Sequence, residues 1–281
     1  MSAPDRVTSA QQARKFAIGV DVGGTFTDLV LADLRKSELH RFKTLTTPDE
    51  PSRGVIEGLT RLAADIGIAA ADIGYVVHAT TLVANAIIER KGALTGLLTT
   101  AGMRDVLEIG RESRYDLYDL YLAKPTPLVP RPLRLEVNER LRADGSVHLP
   151  LDLGSVETAA RALIGHGVRA VAVCLINSYR NQAHELAVKN YLARRFPELD
   201  VSISSEISRE AGEYERTSTT VANAYVRPMV RGYLRELAAE LEETVQFSRE
   251  HGFKHILNNQ RAQAFYSKWL SQYGDDSIAQ M

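Results

Sequence analysis

The segment Ile18–Asp28 reads IGVDVGGTFTD and predicts a buried strand that enters a Gly-Gly-Thr turn and continues directly into a second strand. The residues predicted to form a site for phosphate and magnesium are Asp21, Gly23, Gly24, Thr25 and Thr27. The two glycines let backbone N–H groups approach an anion without an intervening Cβ, and the two threonine hydroxyls add donors. Asp21 is placed to hold a magnesium ion through water molecules. A plain hairpin is the alternative interpretation.

Strands and helices alternate on the carboxyl side of this segment. Short apolar runs at 16–20, 29–32 and 39–43 predict three antiparallel strands. Ser52 is expected to cap a helix that ends at Gly67, and Thr80 or Thr81 to cap a second helix that ends at Gly92. Strands are predicted at 74–79 and 94–99. This alternation is typical of βαβ units.

The segment 111–133 breaks the alternation, because it is rich in Arg, Tyr, Asp and Pro and predicts a long loop. A strand at 134–141 should turn at Asp144-Gly145 into a hairpin. Helices at 153–165 and 182–195 and strands at 170–176 and 201–204 then restore a largely parallel sheet. The last pattern is helical from 209 to 241, and Pro228 predicts a kink or two helices there.

Composition limits the class of protein. The 281 residues carry 34 Lys and Arg against 35 Asp and Glu, so the formal net charge is −1. This balance gives no general reason to bind nucleic acid or an anionic membrane. Cys174 is the single cysteine and has no second thiol to pair with, which indicates a reducing cytoplasm. Residues 1–15 are polar, lack the apolar core of a secretory signal and are expected to be flexible.

Five stretches of the sequence resemble one known family. They are DVGGTFTD at 21–28, HATTLVANAIIERKG at 78–92, RDVLEIGR at 104–111, AVCLINSY at 172–179 and EYERTSTTVANAYV at 213–226. The first resembles the first phosphate loop of the actin-like, sugar-kinase-like ATPase superfamily, in the form found in hydantoinase A and 5-oxoprolinase. In this order the stretches are specific to that family, and acetone and acetophenone carboxylase subunits share them. The resemblance covers residues 16–241 and leaves 242–281 as a divergent helical tail without an assigned role.

The resemblance implies an α/β fold, namely an actin-like (ribonuclease H-like) ATPase domain with a mixed sheet, βαβ crossovers and a helical C-terminal segment. It also implies ATP-dependent opening of a cyclic amide such as a hydantoin or 5-oxoproline. An unstrained lactam is a poor electrophile, and phosphorylation of its amide oxygen supplies both a leaving group and a driving force. The implied cofactors are ATP and Mg²⁺, and the implied partner is a hydantoinase B-type subunit or domain. Assembly into a homo-oligomer is a further alternative.

Further site residues follow from the resemblance. A strand-to-helix turn with His78, Thr80, Thr81 and Asn85 is expected to face the same cleft as the phosphate loop. Anion binding at the start of that helix and simple capping by Thr80 are alternative interpretations. Arg111 belongs to a cluster with Arg114, Tyr115, Asp116 and Tyr118 that either contacts substrate or a partner subunit or forms a solvated loop.

Two other classes of function stay open. The phosphate loop by itself does not separate a hydrolase from a small-molecule kinase or an ATP-dependent carboxylase subunit. A truncated, catalytically incompetent module that binds nucleotide or a partner is the second alternative. The family's second phosphate loop and adenosine pocket are expected after about residue 241, where the resemblance ends.

Overall fold

A computed structural model describes residues 15–47, 49–69, 72–112, 116, 118–119, 121 and 124–244. Segments 1–14 and 245–281 lie outside the described residues, as do Arg114 and Tyr115. The described chain divides into two compact units: 15–89 with 229–244 form the first, and described residues between 90 and 228 form the second. Strands and helices alternate in both units, so the protein belongs to the α/β class.

The first unit contains a mixed four-stranded sheet in the order β3-β2-β1-β4. Strands β1, β2 and β3 pair antiparallel, whereas β4 lies parallel to β1. The elements are β1 (Phe16–Val22), β2 (Phe26–Asp33), β3 (Glu38–Leu45), α1 (Pro51–Ile66), β4 (Ile73–Thr80) and α2 (Leu82–Ile88). The predicted antiparallel start and the strand at 74–79 are confirmed, but α2 ends at Ile88 rather than at Gly92.

One face of this sheet is buried and the other is open. Alternate residues of β1, Ile18, Val20 and Val22, are at most 3% exposed and pack in one apolar cluster. Helix α1 contributes Val55, Leu59 and Leu62 to this cluster, and the later segment 229–244 contributes Tyr233, Leu237 and Leu241. The exposed apolar side chains of the sheet are Phe26, Val30, Leu39, Leu45 and Val77. The period of two along each strand separates these two faces.

Helix α1 begins differently from the sequence prediction. Glu50 is its N-cap residue and makes no side-chain cap, so Ser52 is not the cap. Ser52 is buried inside the first turn, and its hydroxyl donates to Glu240 at 3.1 Å. The predicted end is confirmed, because Gly67 adopts a left-handed conformation with φ of 71°. Ser52, which the sequence predicted as the cap, therefore makes a tertiary hydrogen bond to Glu240 instead.

The second unit contains a parallel four-stranded sheet in the order β10-β9-β5-β6. From β5 the chain first adds β6 at one edge of β5 and then adds β9 and β10 at its other edge. The direction in which successive strands are added therefore reverses between β5 and β9. The elements are β5 (Thr95–Thr100), α3 (Val106–Ile109), a 3-10 turn (Arg131–Leu133), β6 (Arg134–Val137), β7 (Arg140–Leu141), β8 (Val147–Leu149), α4 (Leu153–Gly165), β9 (Ala170–Cys174), α5 (Ala183–Arg195), β10 (Asp200–Ile203), α6 (Ser204–Ile207) and α7 (Glu213–Thr244).

The predicted hairpin at Asp144-Gly145 is confirmed, since Gly145 has a φ of 88° and joins β7 to β8. The single predicted strand at 134–141 is instead two short strands, because β6 belongs to the main sheet and β7 pairs only in the hairpin. The predicted helix 153–165 matches α4, whose N-cap Asp152 accepts from the Gly154 N–H at 2.9 Å. The other elements agree with the predictions to within a few residues.

Helix α7 runs without interruption from Glu213 to Thr244 with Pro228 inside it. Of the two alternatives predicted at Pro228, two separate helices are contradicted, and a kink stays a prediction. Its first half packs in the second unit and its second half in the first. Packing at both ends compensates for the hydrogen bond that Pro228 cannot donate. In the part of the chain that the structure describes, no helix is both long enough and apolar enough to cross a membrane.

Two glycines of the second unit give a matched test of its packing. A Cβ at Gly92 would lie 2.1 Å from the Tyr225 ring, whereas a Cβ at Gly165 has no neighbour within 4 Å. Gly92→Ala should lower the free energy of unfolding by roughly 1–3 kcal/mol through overpacking. Gly165→Ala should leave it unchanged or raise it by about 0.5 kcal/mol, because glycine is a poor helix former. Urea unfolding of both variants measures the difference, and equal stabilities would contradict this packing.

Candidate functional site

The turn between β1 and β2 is tight and requires glycine. The Gly23 N–H donates to the Phe26 carbonyl at 2.9 Å, which closes the turn. A Cβ at Gly23 would lie 2.9 Å from that same carbonyl oxygen, so a side chain would break the turn. Asp21, Gly24 and Thr25 are exposed around it. The turn therefore presents backbone, a hydroxyl-bearing residue and a carboxylate to solvent.

Thr27 lies behind this turn and is fully buried. Its hydroxyl is 3.0 Å from the hydroxyl of Thr46, which itself donates to the Gly23 carbonyl at 2.9 Å. Because Thr46 uses its single proton on Gly23, Thr27 donates to Thr46. The phosphate contact predicted for Thr27 stays a prediction, and in this structure its buried hydroxyl supports Thr46. Thr46 was missed, since nothing in the sequence marks a threonine at the end of β3 as part of this turn.

The turn between β4 and α2 is tied to the end of β1. The Val22 carbonyl accepts from the Thr81 N–H at 3.1 Å and from the Thr80 hydroxyl at 3.2 Å. The Thr80 hydroxyl also accepts from the Leu82 N–H at 3.0 Å, whereas Thr81 is the N-cap residue of α2 and makes no side-chain cap. These two hydrogen bonds to one carbonyl oxygen bring together two segments that are about 60 residues apart in the sequence.

Asn85 lies against the glycine turn. A Cβ at Gly24 would be 3.1 Å from the Asn85 amide nitrogen, and that nitrogen donates to the Thr81 hydroxyl at 3.4 Å. Asn85, Thr80 and Thr81 therefore gather at the same end of the sheet as Gly24. Their predicted contact with a ligand remains a prediction, but their predicted proximity to the glycine turn agrees with this geometry.

His78 occupies a different position from the one predicted. It pairs with Val20 across the parallel β1–β4 ladder, on the buried face, and its Nε2 lies 2.5 Å from the Tyr233 hydroxyl. Burial lowers the pKa of His78 from 6.5 to about 4, although the nearby Asp21 carboxylate opposes this shift. Burial also raises the pKa of Tyr233. His78 is thus a neutral, half-buried side chain beneath the turn. The sequence analysis placed Tyr233 only within the helical segment predicted at 209–241.

Arg111 belongs to the second unit. Its Nε donates to Glu215 Oε1 at 2.6 Å, at the edge of an open groove of about 440 Å³. The groove is lined by Val106, Ile109, Gly110, Arg111, Glu213, Tyr214 and Glu215. Of the predicted cluster, Asp116 and Tyr118 are described and exposed. The structure therefore gives Arg111 an acidic partner that the sequence analysis did not identify.

Other candidate chemistry is absent from the described residues. Within the described ranges, no group of three or more His, Cys, Asp or Glu side chains is arranged to hold a metal ion. Cys174 is buried, and burial raises the pKa of its thiol, so it is not an activated nucleophile. Its sulfur instead accepts from Arg216 Nε at 3.4 Å.

Comparison with known proteins identifies the family. Residues 17–196 match the family described as "Hydantoinase/oxoprolinase N-terminal region", and the chain belongs to this family. An uncharacterized protein of Methanocaldococcus jannaschii is 37% identical over 81% of the chain. The caprolactamase subunit alpha of Pseudomonas jessenii is 35% identical over 82% of the chain. The matches cover 33% and 34% of those proteins, so the chain spans about a third of their length.

Solved structures agree with this assignment. The crystal structure of the ATP-dependent caprolactamase from Pseudomonas jessenii superposes with a TM-score of 0.75 at 35% identity, over 82% of this chain and 34% of that one. The nucleotide-free structure of acetone carboxylase superposes with a TM-score of 0.74 at 27% identity, over the same shares of the two chains. The family resemblance noted in the sequence is confirmed.

The half-buried His78 predicts a specific dependence of stability on pH. Between pH 6.5 and pH 4 the unfolded chain protonates His78 and the folded chain does not, so this site destabilises the fold as the pH falls. The free energy of unfolding falls by about 1.4 kcal/mol for each pH unit by which the pH drops between the two pKa values. His78→Gln should show a shallower loss of stability in this range than the wild type. Urea unfolding from pH 4.5 to 7.5 measures the slopes, with the exposed His148→Gln as control; parallel slopes for wild type and His78→Gln would refute this prediction.

Proposed function

We propose that this chain binds the phosphates of ATP at the turn between β1 and β2, within an enzyme that opens a cyclic amide. The observation that carries the proposal is the glycine turn itself, with Asp21 exposed at its start and Asn85 against Gly24. Membership in the hydantoinase/oxoprolinase family and the similarity to an ATP-dependent caprolactamase support it. We also assign the first unit to the actin-like ATPase class, which the mixed sheet with the turn between its first two strands supports.

The residues around the turn have distinct proposed roles. Backbone N–H groups near Gly24 and the hydroxyl of Thr25 would bind phosphate oxygens, because the two glycines carry no side chain of their own. Asn85, together with Thr80 and Thr81, would position that phosphate from the other side of the turn. Such binding and orientation account for most of phosphoryl-transfer catalysis.

The residues present fit a magnesium ion of the usual type. Mg²⁺ retains several waters and takes one or two carboxylates together with substrate phosphates, and Asp21 is an exposed carboxylate beside the turn. Asp28 lies directly opposite Asp21 in the β1–β2 ladder, but it is paired with Lys43 at 3.2 Å. Asp21 would therefore be the residue that holds the ion through water. When bound, the ion would neutralise the phosphate charge that develops during transfer.

A further polypeptide is part of this proposal. The chain spans about a third of the length of three relatives that are named as subunits. The open face of the first sheet exposes Leu45 at 65% and Val77 at 66%, and an exposed apolar face of this kind is typical of an interaction surface. We therefore propose that a hydantoinase B-type subunit, or the remaining part of the family's polypeptide, completes the enzyme.

Calorimetric titration tests nucleotide binding. Mg·ATP should bind the wild-type chain saturably, and Asp21→Ala should weaken binding by about tenfold or more, because the carboxylate that holds the magnesium ion through water is lost. Asp65→Ala removes an exposed carboxylate of α1 and serves as the matched control. Absence of binding by folded wild-type chain, or equal binding by Asp21→Ala, would contradict the proposed site.

The products distinguish the hydrolase from its alternatives. With a lactam and the partner subunit, the proposed enzyme should release ADP, inorganic phosphate and the ring-opened amino acid in equal amounts. A kinase would instead yield a stable phosphorylated small molecule. The similarity to acetone carboxylase adds a third outcome to be tested, in which ATP consumption requires bicarbonate. Phosphorus NMR combined with mass spectrometry of the organic product separates the three, and no ATP consumption under any condition would support a purely binding module.

A further inference from the structure

The groove beside Arg111 lies at the carboxyl edge of the second sheet, where the strand order reverses. In open α/β sheets, ligands bind in the crevice outside the carboxyl ends of the strands at such a reversal. Here it falls between β5 and β9, whose ends are joined because the Ile176 N–H donates to the Thr100 hydroxyl at 2.9 Å. One wall of the groove is the segment that follows β5, and the other is the first turn of α7.

The wall formed by the segment after β5 is held in place by Arg and Lys side chains. Arg131 makes two hydrogen bonds to Asp105, the N-cap residue of α3, at 2.8 and 3.0 Å. The Lys124 ammonium donates to the last carbonyls of α3, those of Glu108 and Ile109. The fully buried Arg134 donates to the Glu108 carboxylate at 2.9 Å. This short segment therefore presents Ile109 and Gly110 to the groove from a rigid position.

The wall formed by α7 is fixed by Arg216. This buried guanidinium donates to the Leu175 carbonyl at 2.8 Å, just beyond β9, and to the Glu213 carboxylate at 2.5 Å. Glu213 and Glu215 thus reach the groove from a turn that is anchored to the end of β9. Both walls are preorganised by contacts that do not depend on the Arg111–Glu215 pair.

Arg111 and Glu215 place a hydrogen-bond donor and an acceptor side by side. Their side chains are 50% and 24% exposed, so both are accessible from the groove. Val106 and Ile109 supply apolar surface, and Tyr214 contributes an aromatic ring. A volume of about 440 Å³ lies in the range typical of small-molecule sites. The complementary ligand is a small, mostly apolar ring that carries a carbonyl acceptor next to an N–H donor.

We infer that this groove is the recognition site for the cyclic amide, with Arg111 donating to the amide carbonyl and Glu215 accepting from the amide N–H. The inference rests on the proposed function for the class of substrate, but not on the phosphate turn. A lactam holds its amide cis, so its carbonyl and N–H point to the same side and match the two charged partners. The apolar walls contact the ring methylenes.

Equilibrium binding of small lactams to the chain without nucleotide tests this site. The probes are ε-caprolactam, hydantoin and 5-oxoproline, together with N-methyl-ε-caprolactam, which lacks the N–H. Arg111→Met should weaken binding about tenfold through loss of a charge-assisted hydrogen bond. Arg161→Met, which removes an exposed arginine paired with Glu157 in the same unit, is the control and should bind as the wild type does.

The N-methyl probe examines Glu215 separately. Glu215→Gln should weaken binding of ε-caprolactam but leave the already weaker binding of N-methyl-ε-caprolactam unchanged, because that ligand cannot donate to the carboxylate. The inference is overturned if folded wild-type chain binds none of the lactams, if Arg111→Met binds them normally, or if N-methylation has no effect.

Asp21→Ala keeps this result distinct from that of the nucleotide site, since it should retain lactam binding whatever its effect on Mg·ATP. Lactam binding without nucleotide binding would refute the proposed nucleotide site and support the proposed lactam site. Nucleotide binding without lactam binding would refute the lactam site and support the nucleotide site.

Discussion

The Val22 carbonyl oxygen accepts two hydrogen bonds from the segment that follows β4, one from the Thr81 N–H and one from the Thr80 hydroxyl. The geometry of the candidate phosphate site depends on this atom. It is the last backbone acceptor of β1 before the glycine turn, and its two bonds hold the start of α2 close to Gly24. Thr46 holds the same turn from β3 by donating to the Gly23 carbonyl. The turn is thus clamped from both neighbouring segments before any ligand binds, which reduces the ordering that binding would require.

Buried charges organise the carboxyl edge of the second sheet in a comparable way. The fully buried Glu185 accepts from the backbone N–H groups of Leu175 and Ser205 and from the Ser204 hydroxyl. Glu139 accepts from Thr100 and lies 2.7 Å from His184. A buried carboxylate is tolerated only when such partners satisfy it, and removing one partner leaves a costly unpaired group. These networks fix the loops after β5 and β9 and therefore the shape of the groove between them.

Both sites consist of a rigid frame with an exposed chemical group. In the first unit the frame is a sheet packed on one face, with the neutral His78 and Tyr233 beneath the turn and Asp21 above it. In the second unit Arg134 and Arg216 are buried and hold the walls, whereas Arg111 remains accessible. In both units, buried polar side chains hold the frame, and Asp21 and Arg111 remain accessible to solvent.

Local sequence patterns were sufficient to predict the class of fold, most of the strand and helix positions, the hairpin at Gly145 and the glycine turn, because these depend on local periodicity and on backbone conformations that few residues adopt. The order of the sequence motifs also identified the family. The roles of individual polar side chains follow instead from the packing of the folded chain. Ser52 bonds to Glu240 and does not cap its helix, and Thr27 is buried against Thr46. Arg111 pairs with Glu215, which is more than 100 residues away in the sequence. A hydroxyl or a guanidinium has many equivalent partners nearby in sequence, and its choice among them is set by long-range packing and by the need to satisfy buried donors and acceptors.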